Sequence, residues 1–478
     1  MMLLRAHLIL SLGFSVAGAR ELVLLGDLSD DGRVSSAGYG ISSDGSAVCG
    51  STSVTLDRGM ETEETVTAAT IWTETDGLVV LPFPQNEVGR RRATARAISD
   101  DGFRIVGEAR NFFNKDEAAL WTRQADGSYQ IQLLSPPQGG SFRSFASANL
   151  DAIGISGDGL VVCGRGQTIP GEFEAWRWTA STGIVPIGNL SNGPLDKANR
   201  TSYSSAEAVN RDGSIIGGFS WYALSDSGGV LRQGFRYSDG IMTATGDLQD
   251  PPKASYVYGI SKDGTTIVGE ARDSENGQVA YRKVGDLPFE NLGQLSGENP
   301  VSIARAVSAD GTVVVGSSRT DRGTEAFIWT VAEGMQPLSD LVNLDDGWLE
   351  DANAISDDGG TITGTVIYPD PNNQNEREAF VLKINRDKTS VIDQIDFELI
   401  VNRDRVFLSF TRPDLTMIYA LEFSPDLASP FVEQVRFSGE GRQVTNQSYS
   451  GEAVGQGIIK EALLGRTRGF WRVRVSSP

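Results

Sequence analysis

Histidine is all but missing from this chain. Among 478 residues there is one, His7, and it falls in a segment that reads as an export signal. With it go the chemistries that need an imidazole: histidine-based triads and dyads, and histidine-ligated zinc. Cysteine is nearly as scarce, with only Cys49 and Cys163. Cations are outnumbered, 42 Lys and Arg against 62 Asp and Glu, for a formal net charge of −20. That balance argues against nucleic acid as a partner, because phosphate binding needs clustered cations. Long apolar runs are also lacking. The stretch from Leu8 to Val16 falls well short of the ~20 residues that span a bilayer. No glycine-rich phosphate loop sits in a strand–helix context, and long helix-period segments are absent.

The start of the chain has the three parts of a secretory signal. Met1 to Arg5 is a short positive start, Leu8 to Val16 an apolar core, and Ala17-Gly18-Ala19 a small-residue cleavage site. Residues 1–19 are therefore expected to be a signal peptide, with the mature chain beginning at Arg20. Its removal takes away the only histidine, and no transmembrane segment is then expected. The location expected is outside the cytoplasm: extracellular, periplasmic or at the cell surface.

Glycine is abundant, with 55 residues, and Asp-Gly pairs flanked by short apolar runs recur throughout. Such pairs are a strong short-range signal for tight hairpins. They belong to a repeat. The phrase [Ala/Gly]-[Ile/Val]-[Ser/Asn]-x-Asp-Gly, followed by an apolar strand ending in Gly, occurs seven times. The copies start at Gly40, Ala97, Gly154, Ala208, Gly259, Ala306 and Ala354, and their Asp residues are Asp44, Asp101, Asp158, Asp212, Asp263, Asp310 and Asp358. Spacings run from 47 to 57 residues. Each copy continues through a variable loop to an Ala-aromatic-x-aromatic strand, as in Ala175-Trp176-Arg177-Trp178. The last aromatic slot holds Trp72, Trp121, Trp178, Tyr237 and Trp329, and departs at Lys283 and Leu382. A further short strand ends in a phrase such as Thr245-Gly246-Asp247-Leu248. Four short strands in a unit of about fifty residues match a propeller blade. The fold class expected is all-β, a seven-bladed β-propeller over residues 20–385.

The two ends of the repeat argue for closure. Leu22 to Leu28 is the last phrase of a unit with nothing before it, and the seventh copy lacks that phrase after Leu382. The N-terminal strand should complete the seventh blade and leave no exposed sheet edge. Cys49 and Cys163 share one apolar slot, filled elsewhere by Val106, Gly217, Val268, Val315 and Thr363. They are expected to be buried thiols that pack as small hydrophobes, although export permits a disulfide.

Taken together, the Ala-Ile-Ser-x-Asp-Gly, Val-Gly, Glu-Ala-Phe-x-Trp-Thr and Leu-Gly-Asp-Leu phrases resemble the HAF-type extracellular repeat proteins of bacteria. The resemblance covers about residues 20–385. It implies export and a propeller-like fold, and it implies no particular activity.

After Asn385 the repeat stops. Residues 386–391 read as a polar linker and residues 392–478 as a small β-sandwich, with strands at Phe397–Val401, Val406–Phe410 and Tyr419–Phe423 and a closing Phe470-Trp471-Arg472-Val473-Arg474-Val475. The phrase from Tyr419 to Leu427 and this ending resemble C-terminal sandwich modules of secreted proteins from bacteria related to Verrucomicrobia.

No catalytic, cofactor or metal residue stands out. An enzyme would have to rely on carboxylates, Tyr, Lys or Arg, as carboxylate-pair glycosidases do. The double acids Asp100-Asp101 and Asp357-Asp358 invite calcium, yet calcium wants several converging oxygens; a repeated hairpin turn explains them, and no cofactor is expected. The repeat Trp residues are expected in the core. Phe112, Phe113, Trp221 and Tyr222, at the start of variable loops, are the candidate contacts for a glycan or protein ligand; strand or loop anchoring is the competing reading. Arg90-Arg91-Arg92 reads as a solvated charge run. The leading expectation is an exported, non-catalytic binding or scaffold protein. The alternatives are a polysaccharide-acting propeller enzyme with a carboxylate pair, and a purely structural envelope protein. Converging Asp and Glu in a deep central pocket would favour the enzyme, and a plugged channel would favour the binder.

Overall fold

The computed structural model describes residues 20–384 apart from 30–33, 58–62, 85–90, 135–149, 170–171, 191–202, 224–229, 247, 249–253, 274–276, 296–300, 345 and 371–374. Outside that range it describes the backbone of strands within 2–4 and 397–476. The rest of the expected signal and the expected linker lie outside the described residues. The chain divides into two units, Val16–Arg386 and Met1–Ser15 with Asp387–Pro478.

The larger unit is a ring of seven four-stranded antiparallel sheets. Six blades take consecutive strands in order. Their innermost strands are Ser36–Ile41, Ala93–Ile98, Leu150–Ile155, Ser204–Val209, Ser255–Ile260 and Ser302–Val307. The seventh blade runs outward from Trp348–Ile355 through Thr361–Tyr368 and Glu376–Ile384. Its outermost strand is Arg20–Leu24, from the start of the chain, with Leu22 opposite Leu382. The closure expected from the two ends is thus present. Neighbouring innermost strands touch around the whole ring, seventh to first included.

Each repeat phrase does a definable job. The Asp-Gly turn joins the first and second strands. In six blades its Ser hydroxyl donates to the turn Asp and accepts the N–H of the residue five on, as in Ser156 with Asp158 (2.5 Å) and Val161 (2.9 Å). The turn glycines hold positive φ, +72° at Gly159 for example, which a Cβ disfavours. The aromatic slots are core: Trp121 and Trp176 are fully buried, and Trp72, Trp178 and Trp329 nearly so. Leu382, in the same slot, is buried without an aromatic ring. Lys283 instead lays its ammonium 5.0 Å from the Phe289 ring, and the outermost strand of that blade shrinks to Glu290–Asn291. A serine clasp links blades: Ser204 donates to the Gly188 carbonyl (2.7 Å) and accepts the Ala175 N–H (2.9 Å). Ser36, Ser255 and Ser302 repeat it, Ser36 across the closure to Gly26 and Ala379. Cys49 and Cys163 are fully buried and unpaired, and burial raises both thiols, Cys49 to about 12.

The smaller unit contains an antiparallel sheet of Met2–Leu4, Phe397–Asn402, Arg405–Phe410 and Gln447–Ser450, and a second of Val432–Ser438, Ile418–Ser424 and Phe470–Ser476. The strands expected after residue 392 are all among them.

Candidate functional site: the central channel

All seven innermost strands carry the same irregularity. The register with the second strand slips between Gly38 and Gly40, Ala95 and Ala97, Ala152 and Gly154, Ala206 and Ala208, Val257 and Gly259, Ala304 and Ala306, and Ala352 and Ala354, with a second slip in the seventh blade between Leu349 and Asp351. The skipped residue is a β-bulge, a device that re-aims a side chain. The seven bulge residues are Tyr39, Arg96, Ile153, Glu207, Tyr258, Arg305 and Asn353, and all seven line one cavity of about 610 Å³ on the ring axis. The repeat glycine lies inside each second strand, which continues past it, and faces the backbone two residues before the bulge. A Cβ on Gly164 would sit 1.9 Å from the Asp151 carbonyl oxygen, and the other six copies are as tight, at 1.8–2.0 Å. Only hydrogen fits there, so the glycine of the repeat and the ring of displayed side chains are one feature.

The channel has tiers. Two residues beyond the bulge, toward the Asp-Gly turns, lie Ile41, Ile98, Ile155, Val209, Ile260, Val307 and Ile355, an aliphatic collar lining the same cavity. Beyond the collar the turns close the axis. Backbone bonds run from turn to turn, such as Asp100 N–H to Gly157 and Asp357 N–H to Ser43, both 2.9 Å. Lys262 of the fifth blade reaches across to Asp100 of the second and to Asp357 of the seventh (3.5 Å), and Arg211 of the fourth pairs with Asp100 at 3.1 Å. These four ions do not line the cavity. The channel is therefore blind at the turn side. At the other side the described cavity wall includes Ala37, Glu350, Asp351, Thr365 and Arg377.

The ring is electrostatically varied. Arg96 makes a bidentate pair with Glu108 at 3.0 and 3.1 Å and lies 5.3 Å over the Tyr39 ring. Tyr258 donates to Glu270 at 3.0 Å, and Asn353 to the Gly38 carbonyl at 2.9 Å. Glu207 accepts from Ser205. Arg305 lies 5.4 Å over the Tyr258 ring. Its Nε is shielded from solvent and has no hydrogen-bond partner among the described residues. Toward the loop side, Asp151 pairs with Arg165 at 2.9 Å, and Glu350 with Arg377 at 2.6 and 2.8 Å. Burial raises the carboxyls of Glu207, Glu270 and Asp351 above their ordinary range, against the pull of Ser205, Gln278 and Ser317 and of nearby arginines. Burial likewise raises the Tyr258 phenol, as does Glu270.

An aromatic row leaves the ring across the loop side. Tyr258 stacks on Tyr256 (5.9 Å), Tyr256 meets Phe219 edge-on (4.9 Å), Phe219 stacks on Tyr203 (5.7 Å), and Tyr203 touches Trp221 (6.0 Å) and Phe173 (5.6 Å). Arg232 and Arg165 donate to the Tyr256 and Tyr203 hydroxyls at 3.1 and 3.0 Å. Of the contacts expected from the sequence, only Trp221 joins this row. Phe112 and Phe113 pair edge-to-face at 5.6 Å and stand 60% and 65% exposed on a hairpin tip of the second blade, outside the channel wall. Tyr222 lies in a strand, and its side chain is outside the described residues. Arg92 of the charge run pairs with Asp116 at 3.3 Å, Arg91 lies 6.0 Å over Phe83, and Arg90 is outside the described residues. The turn Asp residues are occupied by their own turns, Asp263 by Ser261 and Thr265 for instance. Among the described residues no group of three or more His, Cys, Asp or Glu is placed to hold a metal, and no helix is long and apolar enough to cross a membrane.

The bulge ring was missed in the sequence, though it left a signal. It is the position just before the repeat phrase, where the copies disagree in charge and size while their neighbours agree.

No known protein family matches this chain, and no curated protein is detectably similar to it. Among solved structures it is similar to TolB from Acinetobacter baumannii, 14% identical over 62% of this chain and 64% of that one, with a TM-score of 0.38. It is also similar to the periplasmic gluconolactonase of Pseudomonas aeruginosa, 14% identical over 77% and 97%, TM-score 0.28. A mutant of AofleA from Arthrobotrys oligospora is 12% identical over 67% and 89%, TM-score 0.36. The propeller stands on the sheet topology, and no functional residue is carried across from these proteins.

Proposed function

We propose that the chain is an exported, non-catalytic binding protein whose ligand enters the central channel from the loop side. The observation that carries this reading is the blind cavity walled by seven bulge residues of five types. A ring serving only as structure has no need of a polar, varied lining, and its cavity size falls within the range of small-ligand sites. In this reading the propeller is the HAF-type repeat expected from the sequence, residues 1–19 are its signal peptide, and residues 392–478 are a small β-sandwich appendage. Glycans and protein segments are the partner classes in view.

A second reading, a polysaccharide-acting enzyme, is favoured by one observation. Glu207, Glu270 and Asp351 are buried carboxyls with raised affinity for protons near one cavity, the condition in which a carboxyl acts as a general acid. Each already has a hydrogen-bond partner, Glu207 and Glu270 within their own blades and Asp351 from Ser317 of the sixth, which suits binding better than turnover. A thermal-shift screen of the purified chain against oligosaccharides and peptides, followed by product analysis of each hit, separates the two. A hit that survives incubation intact is expected. Product formation that is lost in Glu207→Gln or Asp351→Asn would overturn the non-catalytic reading.

A further inference from the structure

Three arginines line the channel, and two are already committed. Arg96 is held by Glu108 and Arg377 by Glu350. Arg305 is different. No described carboxylate forms an ion pair with it, although Glu207, Glu270 and Asp351 act on it through space, and its Nε is buried without a hydrogen-bond partner among the described residues. A buried donor left unmade costs free energy, and in a native fold it marks a place where something else belongs. The group that satisfies a guanidinium best is a planar two-oxygen anion. Next to Arg305 is Tyr258, which lies under its guanidinium, and Tyr39, Asn353 and Glu207 line the same cavity.

We propose that the channel binds a sugar acid, with its carboxylate on Arg305 and its hydroxyls among Glu207, Asn353 and Tyr39. This rests on the reading of the channel as a ligand site. One uncommitted cation specifies one carboxylate. The overall charge of −20 repels a polyanion at range, so the ligand is a monouronate or the terminal uronate of a short chain.

The test is calorimetric titration of the purified chain with D-glucuronate and D-galacturonate, and with D-glucose and D-galactose as neutral parents. Native protein, Arg305→Gln, Arg305→Lys and Ile153→Trp are compared, with circular dichroism verifying the fold of each. One uronate is expected to bind at least about tenfold more tightly than its neutral parent, as a charge-assisted hydrogen bond implies. Arg305→Gln is expected to erase that preference, and Arg305→Lys to restore part of it by returning the charge without the fork. Ile153→Trp, which fills the channel, is expected to abolish binding. Equal binding of uronate and parent, an undiminished uronate preference in Arg305→Gln, or no uronate binding at millimolar concentration would overturn the inference. Neutral sugars that bind native protein but not Ile153→Trp would refute the sugar acid and keep the channel as the site. Uronate binding that survives Ile153→Trp would refute the channel itself.

Discussion

The two ends of the channel are built from adjacent residues of the same repeat, and they could hardly differ more. At the turn side the seven copies agree. Ser or Asn, Asp and Gly recur, each turn satisfies its own polar groups, and Lys262, Arg211, Asp100 and Asp357 close the axis. Three residues before the Ser or Asn the copies vary, with five residue types in seven positions, and those residues line the cavity. Agreement among the copies marks what the ring needs in order to close. Disagreement, at a position held in place by a bulge and a glycine, marks what the ring displays.

The comparison breaks most severely if the bulge is removed. Gly164→Ala drives a Cβ against the Asp151 carbonyl. A loss of about 3 kcal/mol is expected, at the upper end of overpacking costs, together with loss of any ligand seated at Ile153. Urea denaturation measures the first and titration the second. A stable, ligand-binding Gly164→Ala protein would mean that bulge and glycine are unrelated.

At the closed end, Lys262→Met should cost about 1–2 kcal/mol, between the worth of exposed and buried pairs. Asp357 loses the cation that opposes the effect of burial on it, while Asp100 keeps Arg211. Ligand affinity should not change, because these ions lie outside the cavity wall. A fall in affinity with Lys262→Met would show that the two ends are coupled.

The channel carboxyls and the solvated turn carboxyls titrate with opposite signs, while Asp357 of the closed end is raised by burial like the former. Glu207, Glu270 and Asp351 hold protons more tightly in the folded state, chiefly through burial. Their contribution favours folding below the ordinary carboxylate range and is lost as pH rises through the raised values. Asp212, at a turn, is lowered by hydrogen bonds from Ser214. Its contribution is present above the ordinary range and is lost as pH falls through the lowered value. Stability profiles from acid to neutral pH should therefore flatten on the high side in Glu207→Gln and on the low side in Asp212→Asn. Identical profiles for the two variants would remove the distinction.

The smallest effect is expected at the hairpin tip. Phe112→Ser with Phe113→Ser changes two exposed side chains that mainly touch each other, and stability should move by no more than about 0.5 kcal/mol.

Much of the ring was legible because repetition makes weak local signals add. One Asp-Gly turn is ambiguous; seven, with Trp72, Trp121, Trp178 and Trp329 in one slot, specify a blade and its core. The strand Arg20–Leu24 was legible as the missing piece of the seventh unit. The site was not legible in the same way. A bulge is a register slip, invisible in a chain read without its partner strand, so the residues at Tyr39, Arg96 and Arg305 looked like ordinary strand positions. Searching instead for exposed aromatics found Phe112 and Phe113, which are exposed but face away from the channel lining. It also found Trp221, which sits at the outer end of the row that begins at Tyr258. The ion cluster was hidden because Lys262 and Asp100 are 162 residues apart and meet only when the ring closes.

The central claim, that the channel rather than the loop tips is the binding surface, is tested most directly by one paired measurement. The native chain, Ile153→Trp and the Phe112→Ser/Phe113→Ser double variant would be applied to the same oligosaccharide array. The account predicts that filling the channel abolishes the native binding pattern while the double variant reproduces it. Binding that survives in Ile153→Trp and disappears in the double variant would contradict it.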